Sequence, residues 1–251
     1  MEYIRYDIVT TPIEHSFYKE IQKISSKISK VIIEGKESNV EGVINIFFYS
    51  EEFYNIYEAE QDTKTYVTNL LNALIIEHDI CTKSYYVSGH NINCLASGSI
   101  EIINKIKKVA KLNEQDLEKL KQYMIDEKYS NRYFNIYRYA FNTEDIISKY
   151  MILYNILLEI CNDKQRCVDD FITAAIGKDE AEYKQSPRKL KKGDYIYETK
   201  FTKLRNEIGH ARENTTIDKT TEEMELNIDK LAKLVLKAIK SKEQDGNFVP
   251  S

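Results

Sequence analysis

Glycine and proline are scarce in this chain, 8 and 3 among 251 residues. That shortage disfavours a turn-rich β sandwich and favours helices. The four cysteines, Cys81, Cys94, Cys161 and Cys167, include no C-x-x-C pair. Packed thiols in a reducing compartment are expected rather than disulfides. No stretch reaches the roughly eighteen consecutive apolar residues that a membrane helix needs. The best candidate, residues 150–161, is interrupted by Asn155 and Glu159 and reads as a buried helix. Residues 1–18 carry charges throughout and lack an apolar signal core, so the expectation is a cytoplasmic protein with no membrane partner. Neither a dinucleotide-binding glycine fingerprint nor a phosphate-binding loop is present, and no cofactor is expected. The formal net charge of −4 gives no global attraction to nucleic acid, so any such affinity needs a local basic patch.

What is present fits a soluble globular protein, with 42% hydrophobic and 30% charged residues. The expected fold class is mainly α: a helical bundle of four or five helices preceded by a smaller mixed α+β domain. Residues 1–112 form the mixed domain, 113–246 the helical one, and 247–251 a disordered tail. In the first part, 3–13 has an alternating, β-branched character, 43–49 is a short apolar run, and 85–87 is a candidate strand. Residues 17–33, 65–76 and 100–109 have helical spacing. A helix over 113–127 then carries Leu117, Leu120 and Met124 on one face. After an aromatic stretch, Asn142 is a candidate N-cap for a broad apolar helix to about Asn162. The next helix, 164–176, stops at Gly177, and 177–193 reads as a lysine-rich loop. A third helix spans 195–212. A fourth starts near Thr220, where Glu223 completes a capping box, and bears Met224, Ile228, Leu231, Val235 and Ile239 as a stripe.

The segment 197–214, YETKFTKLRNEIGHAREN, is the most informative. On a helix with Leu204 at zero, Tyr197, Phe201, Leu204 and Ile208 cluster near about 30°, the expected core stripe. Arg205 falls at about 100°, Gly209 at about 140°, Asn206 at about 200° and His210 at about 240°, away from that stripe. A glycine inside a helix costs about 1 kcal/mol relative to alanine, so Gly209 suggests the close approach of another backbone. Arg205 can grip a phosphate through two parallel hydrogen bonds, and His210 can exchange a proton near neutral pH. Phosphodiester cleavage profits from both an acid and a base. Two such helices meeting antiparallel across a two-fold axis supply two of each group.

Arg205-Asn206-Glu207-Ile208-Gly209-His210 resembles the Arg-spacer-His motif of HEPN ribonucleases, in which the residue after Arg is often Asn. The motif falls on the penultimate helix of the chain. Upstream, Arg138-Tyr139-Ala140 and residues 149–159 resemble the first core helix of Apea-like HEPN domains. The resemblance covers 130–240 and leaves 1–112 out. It implies a HEPN-type bundle acting as a homodimer: a metal-independent endoribonuclease with no cofactor, whose RNA substrate supplies the attacking 2′-hydroxyl. In that reading Arg205, Asn206 and His210 are the catalytic residues and Gly209 is a dimer contact. Between Lys184 and Arg212 there are nine basic and three acidic residues, a local excess of +6. From this run, Arg188, Lys189, Lys191, Lys192, Lys203 and Arg212 are the candidate RNA-binding residues. By family analogy the biological setting is a toxin or an antiviral effector, with an antitoxin or a phage-derived partner.

Plainer readings compete with each of these. A solvated polar helix face is the plainer account of Arg205 and His210, and a solvated loop that of the lysines. A HEPN-like dimer without activity would serve as an RNA- or protein-binding or regulatory module. His78, Cys81, His90 and Cys94 superficially suggest zinc, but their spacing fits no common site, and no metal is expected. Tyr129, Tyr133, Tyr137 and Tyr139 suit a core or an interface better than base stacking.

Overall fold

The computed structural model describes residues 2–90, 111–189, 195–209 and 216–245. The expected helix over 100–109 and the tail at 247–251 lie outside the described residues, as does Cys94. The chain divides into two compact units, Met1–Arg138 and Tyr139–Ser251.

The first unit is built on a five-stranded antiparallel sheet in the order β2-β3-β4-β1-β5. Its strands are β1 (Glu2–Thr10), β2 (Phe17–Gln22), β3 (Lys30–Lys36), β4 (Gly42–Ser50) and β5 (Thr82–His90). Alternation decides the faces. Ile4, Tyr6 and Ile8 are buried, and their register partners Phe48, Ile46 and Ile44 are buried with them. Val31 and Ile33 extend the same layer across β3. Helix α1 (Ile56–His78) contacts β1 and β5, and the Tyr6 hydroxyl meets Thr63 Oγ1 of α1 at 2.7 Å. On the other face, Asn45 Nδ2 donates to Asp7 Oδ1 over 2.6 Å, and Arg5 pairs with Asp7 while stacking on Phe47.

Residues 17–33 therefore form a hairpin and not a helix. Phe17, Ile21, Ile24 and Ile28 recur at three- and four-residue intervals by coincidence, with Ile24 and Ile28 closing the turn. Lys23 adopts a left-handed φ of 46° there. Phe17 opposes Gly35, and a Cβ on Gly35 would lie 2.0 Å from the Phe17 ring. Glycine here thus lets the Phe17 ring lie across the opposing strand.

The first unit extends past residue 112. Helix α2 (Glu114–Ile125) starts with a capping box between Asn113 and Asp116 and packs on α1. Two buried asparagines of α1 hold it there. Asn69 Nδ2 donates to Met124 O over 3.0 Å, and Asn72 Nδ2 donates to Tyr129 O over 2.6 Å. These carbonyls end α2 and lie in the following 3-10 turn (Glu127–Ser130), so the amides satisfy groups that no helix can satisfy itself. Helix α3 (Arg132–Asn142) carries the chain across the division.

The second unit contains α4 (Ile146–Ile160), α5 (Gln165–Ile176), a hairpin of β6 (Lys184–Lys189) and β7 (Tyr195–Glu198), α6 (Lys200–Gly209) and α7 (Ile217–Asp245). Tyr150, Leu153, Tyr154, Ile156, Leu157 and Ile160 of α4 are buried, and α4 packs along α7 and against α6. Four sequence expectations shift. Asp145, not Asn142, caps α4, accepting from the Ser148 amide over 2.6 Å. The expected loop contains β6, and the expected third helix begins with β7, because Tyr195-Ile196-Tyr197 has strand character and pairs back on 184–189. Helix α7 begins three residues before Thr220, where Thr216 accepts from the Lys219 amide. Gly177 does end α5, at a φ of 84°. No helix among the described residues is long and apolar enough to cross a membrane.

His78 gives the first unit a pH dependence. Its ring lies beside Tyr123, with Nε2 3.2 Å from the hydroxyl, and burial lowers its pKa below the usual 6.5 against the opposing pull of Asp116. The unfolded imidazole therefore takes up a proton first as pH falls, and native stability drops from 6.5 downward. Hydrogen exchange of the α1 amides should report weaker protection at about pH 5 than at about pH 7.5, and His78→Gln should flatten the difference. An equal difference in wild type and variant would exclude His78 as its source.

Candidate functional site

Helix α6 carries the arginine of the motif, and its start is fixed by a buried carboxylate. Asp169, on the buried face of α5 beside Val168 and Ile172, is 1% exposed. Its Oδ1 accepts from the Thr199 amide at 2.9 Å, the Thr199 hydroxyl at 2.7 Å and the Thr202 hydroxyl at 2.6 Å. Thr199 begins the helix: its carbonyl accepts from Lys203 N and its hydroxyl from Thr202 N. Thr202 gives its one proton to Asp169, so its lone pairs are left to accept from the Tyr154 hydroxyl, 2.7 Å away. Tyr150 donates to Phe201 O over 3.1 Å. Burial raises the Asp169 pKa, and the bonds from Thr202 and Thr199 oppose it. Burial likewise pushes up the Tyr154 and Tyr150 phenols.

Around the next turn, Asn206 is 0% exposed. Its Nδ2 donates to Glu198 Oε2 at 2.9 Å and lies 3.4 Å from Gln165 Oε1. Its Oδ1 accepts from Arg205 Nη1 at 3.1 Å. Arg205 is half-buried, with its guanidinium carbon 6.0 Å from the centroid of the Tyr154 ring, within reach of a cation–π attraction. Its Nε is shielded from solvent and has no acceptor among the described residues. Glu207, on the side of α6 towards α7, accepts from the Thr220 hydroxyl at 3.1 Å and lies 3.6 Å from Lys203 Nζ.

The structure thus brings Arg205 and Asn206 together but buries the second. The helical projection put Asn206 on an open face because it assumed one covered side. In the fold, α6 is flanked on that side by Glu198 of β7 and Gln165 of α5. Tyr197, expected in the core stripe, is on β7 and half exposed, while Phe201 and Leu204 are buried as expected. Gly209 is the last residue of α6. His210 and Arg212 lie outside the described residues, as do Lys191 and Lys192. Arg188 and Lys189 fall on β6, with their side chains outside the described set. Lys203 is exposed and paired with Glu207, and Lys184 and Lys200 are paired with Glu182, so acids partly offset the basic run.

The sequence reading missed Asp169, Glu198, Thr199 and Thr202. A signal existed for Asp169, an acid in the apolar stripe of an amphipathic helix three residues before Ile172. Another existed at Thr199, a helix-capping residue ahead of Phe201 and Leu204. Of the zinc-like set, Cys94 and the His90 side chain lie outside the described residues. His78 faces Tyr123, and among the described residues no three of His, Cys, Asp and Glu are placed to hold a metal. No family model matches this chain, and neither a curated protein nor a solved structure shows a significant likeness to it.

The Asp169 cluster predicts contrasting substitutions. Asp169→Ala strands an amide and two hydroxyls in the interior and should cost about 3 kcal/mol in denaturant melts. Asp169→Asn keeps an oxygen acceptor and removes a desolvated charge, so its loss should stay below about 1 kcal/mol. Equal losses would mean that the three donors do not depend on this oxygen.

Proposed function

We propose that the second unit is a HEPN-type, metal-independent endoribonuclease that acts as a homodimer. The reading is carried by the setting of Arg205, within the sequence Arg205-Asn206-Glu207-Ile208-Gly209-His210. The guanidinium sits on a helix packed against a tyrosine-rich α4 and a long final α7, and one of its Nη atoms donates to Asn206 Oδ1. In the proposed reaction a ribose 2′-oxygen attacks the adjacent phosphorus and the bond to the 5′-oxygen breaks. The products are a 2′,3′-cyclic phosphate and a 5′-hydroxyl. His210 of one protomer takes the 2′-hydroxyl proton and the copy of His210 in its partner protonates the leaving oxygen. Arg205 stabilises the charge that develops on the phosphorane oxygens. Asn206 holds Arg205 and does not touch the RNA, since burial keeps it from solvent. By analogy with the family the role is that of a toxin or antiviral effector.

Purified protein should cleave RNA in EDTA and spare an all-deoxy strand of the same sequence, which lacks the nucleophile. Arg205→Ala and His210→Ala should each lower the rate by at least about 100-fold. Intact RNA with all three proteins would favour the non-catalytic RNA- or protein-binding module, and chelator-sensitive cleavage would point to a metal.

Dimerisation supplies the second histidine, so activity per protomer should fall on dilution below the dimer dissociation constant. Gly209→Leu should shift sedimentation towards monomer, because the added side chain separates the approaching backbones. An unchanged dimer would remove Gly209 from the interface.

A further inference from the structure

Strand alternation in β7 turns Tyr197 outward and Glu198 inward, where the carboxylate is 4% exposed. A carboxylate in that position needs donors and a balancing charge. Asn206 Nδ2 supplies a donor at 2.9 Å, and the opposite end of the same amide accepts from Arg205 Nη1 at 3.1 Å. The three groups form a line: carboxylate, amide, guanidinium. The orientation of the amide is forced, because an ionised carboxylate only accepts and a guanidinium only donates. The carboxylate polarises the amide, and a polarised amide oxygen is a better acceptor for the arginine. Glu198 itself is held firmly, since the next residue, Thr199, is bound to Asp169 through both its amide and its hydroxyl.

We propose that Glu198 is a positioning residue for Arg205: acting through the Asn206 amide, it fixes the rotation of the guanidinium and therefore which N–H edge faces the scissile phosphate. This rests on the nuclease reading for its functional consequence, but the fixing of Arg205 is a property of the folded chain alone. Asn206 fits this task where its near relatives fail. Aspartate would set two carboxylates against each other, and leucine would remove the link between Glu198 and Arg205. Glutamine at 198 retains an oxygen for Asn206 and removes the charge, which isolates the polarising effect from the bond.

The test uses the full chain with Glu198→Gln, Glu198→Ala and Arg205→Lys. Nitrogen-detected spectra of labelled arginine read Arg205 directly, without needing activity. Wild type should show a slowly exchanging Arg205 Nε–H. Glu198→Ala should broaden or lose it while thermal melting still reports a cooperative fold, and Glu198→Gln should fall between them. Should Glu198→Ala fail to fold, the Glu198→Gln spectrum decides alone. For RNA cleavage, Glu198→Gln should lower kcat by about tenfold with KM within about threefold, the signature of an interaction made mainly in the transition state. An Arg205 signal identical in wild type and the Glu198 variants overturns the proposal. So does cleavage by Glu198→Gln at the wild-type rate while Arg205→Lys is impaired. If wild type does not cleave RNA at all, the nuclease reading falls, and the arginine spectra still decide whether Glu198 holds Arg205.

Discussion

A polar group taken out of water must find its partner inside the protein, and the junction of β7 and α6 meets that demand twice in succession. Asp169 gathers an amide and two hydroxyls at the first turn of α6. Glu198 and Arg205 share the Asn206 amide at the next turn. An unsatisfied buried donor or acceptor costs about 1–3 kcal/mol, more if charged, so these bonds leave little freedom in where α6 begins or how it is rotated. Apolar contacts from Phe201 and Leu204 would tolerate a small roll of the helix. The hydrogen bonds do not, since each sets both a distance and a direction.

The first unit uses the same device for a different end. Its sheet and α1 are held by ordinary cross-strand apolar layers, Ile4 with Phe48 and Tyr6 with Ile46. The asparagines of α1 then recruit the carbonyls at the end of α2 and in the turn beyond it. Without those amides the last turn of α2 would need water for its carbonyls at a place the protein covers. Buried asparagine thus acts in both units as a connector between elements distant in sequence.

The sequence was legible where one physical rule dominated. Partial alternation marked β1, a short apolar run marked β4, and apolar faces at helical spacing marked α4 and α7. The stop at Gly177 was equally plain, because it depends on one residue. Legibility failed where two rules overlapped. Phe17, Ile21, Ile24 and Ile28 satisfy helical spacing while belonging to two strands and a turn. Tyr197 continues the stripe of α6 in projection, yet the hairpin with 184–189 claims it, and that pairing depends on a lysine-rich segment whose own sequence reads as loop. At the site, Arg205 was evident from the motif. Its supports were not, since Asp169 and Glu198 come from other elements and one helix cannot announce what will cover its second face.

Burial of Asn206 separates what the motif combines. Its half-buried arginine is tied to a residue wholly inside the protein, so replacing Asn206 disturbs the interior as well as Arg205. Mobility of a long, flexible side chain carries about 2 kcal/mol of entropy. A guanidinium anchored in advance surrenders less of that freedom when an anion arrives, and its Nε, already withdrawn from water, has less hydration to lose. The same bonds that set the rotation of α6 therefore also hold Arg205, and helix placement and side-chain placement draw on one network.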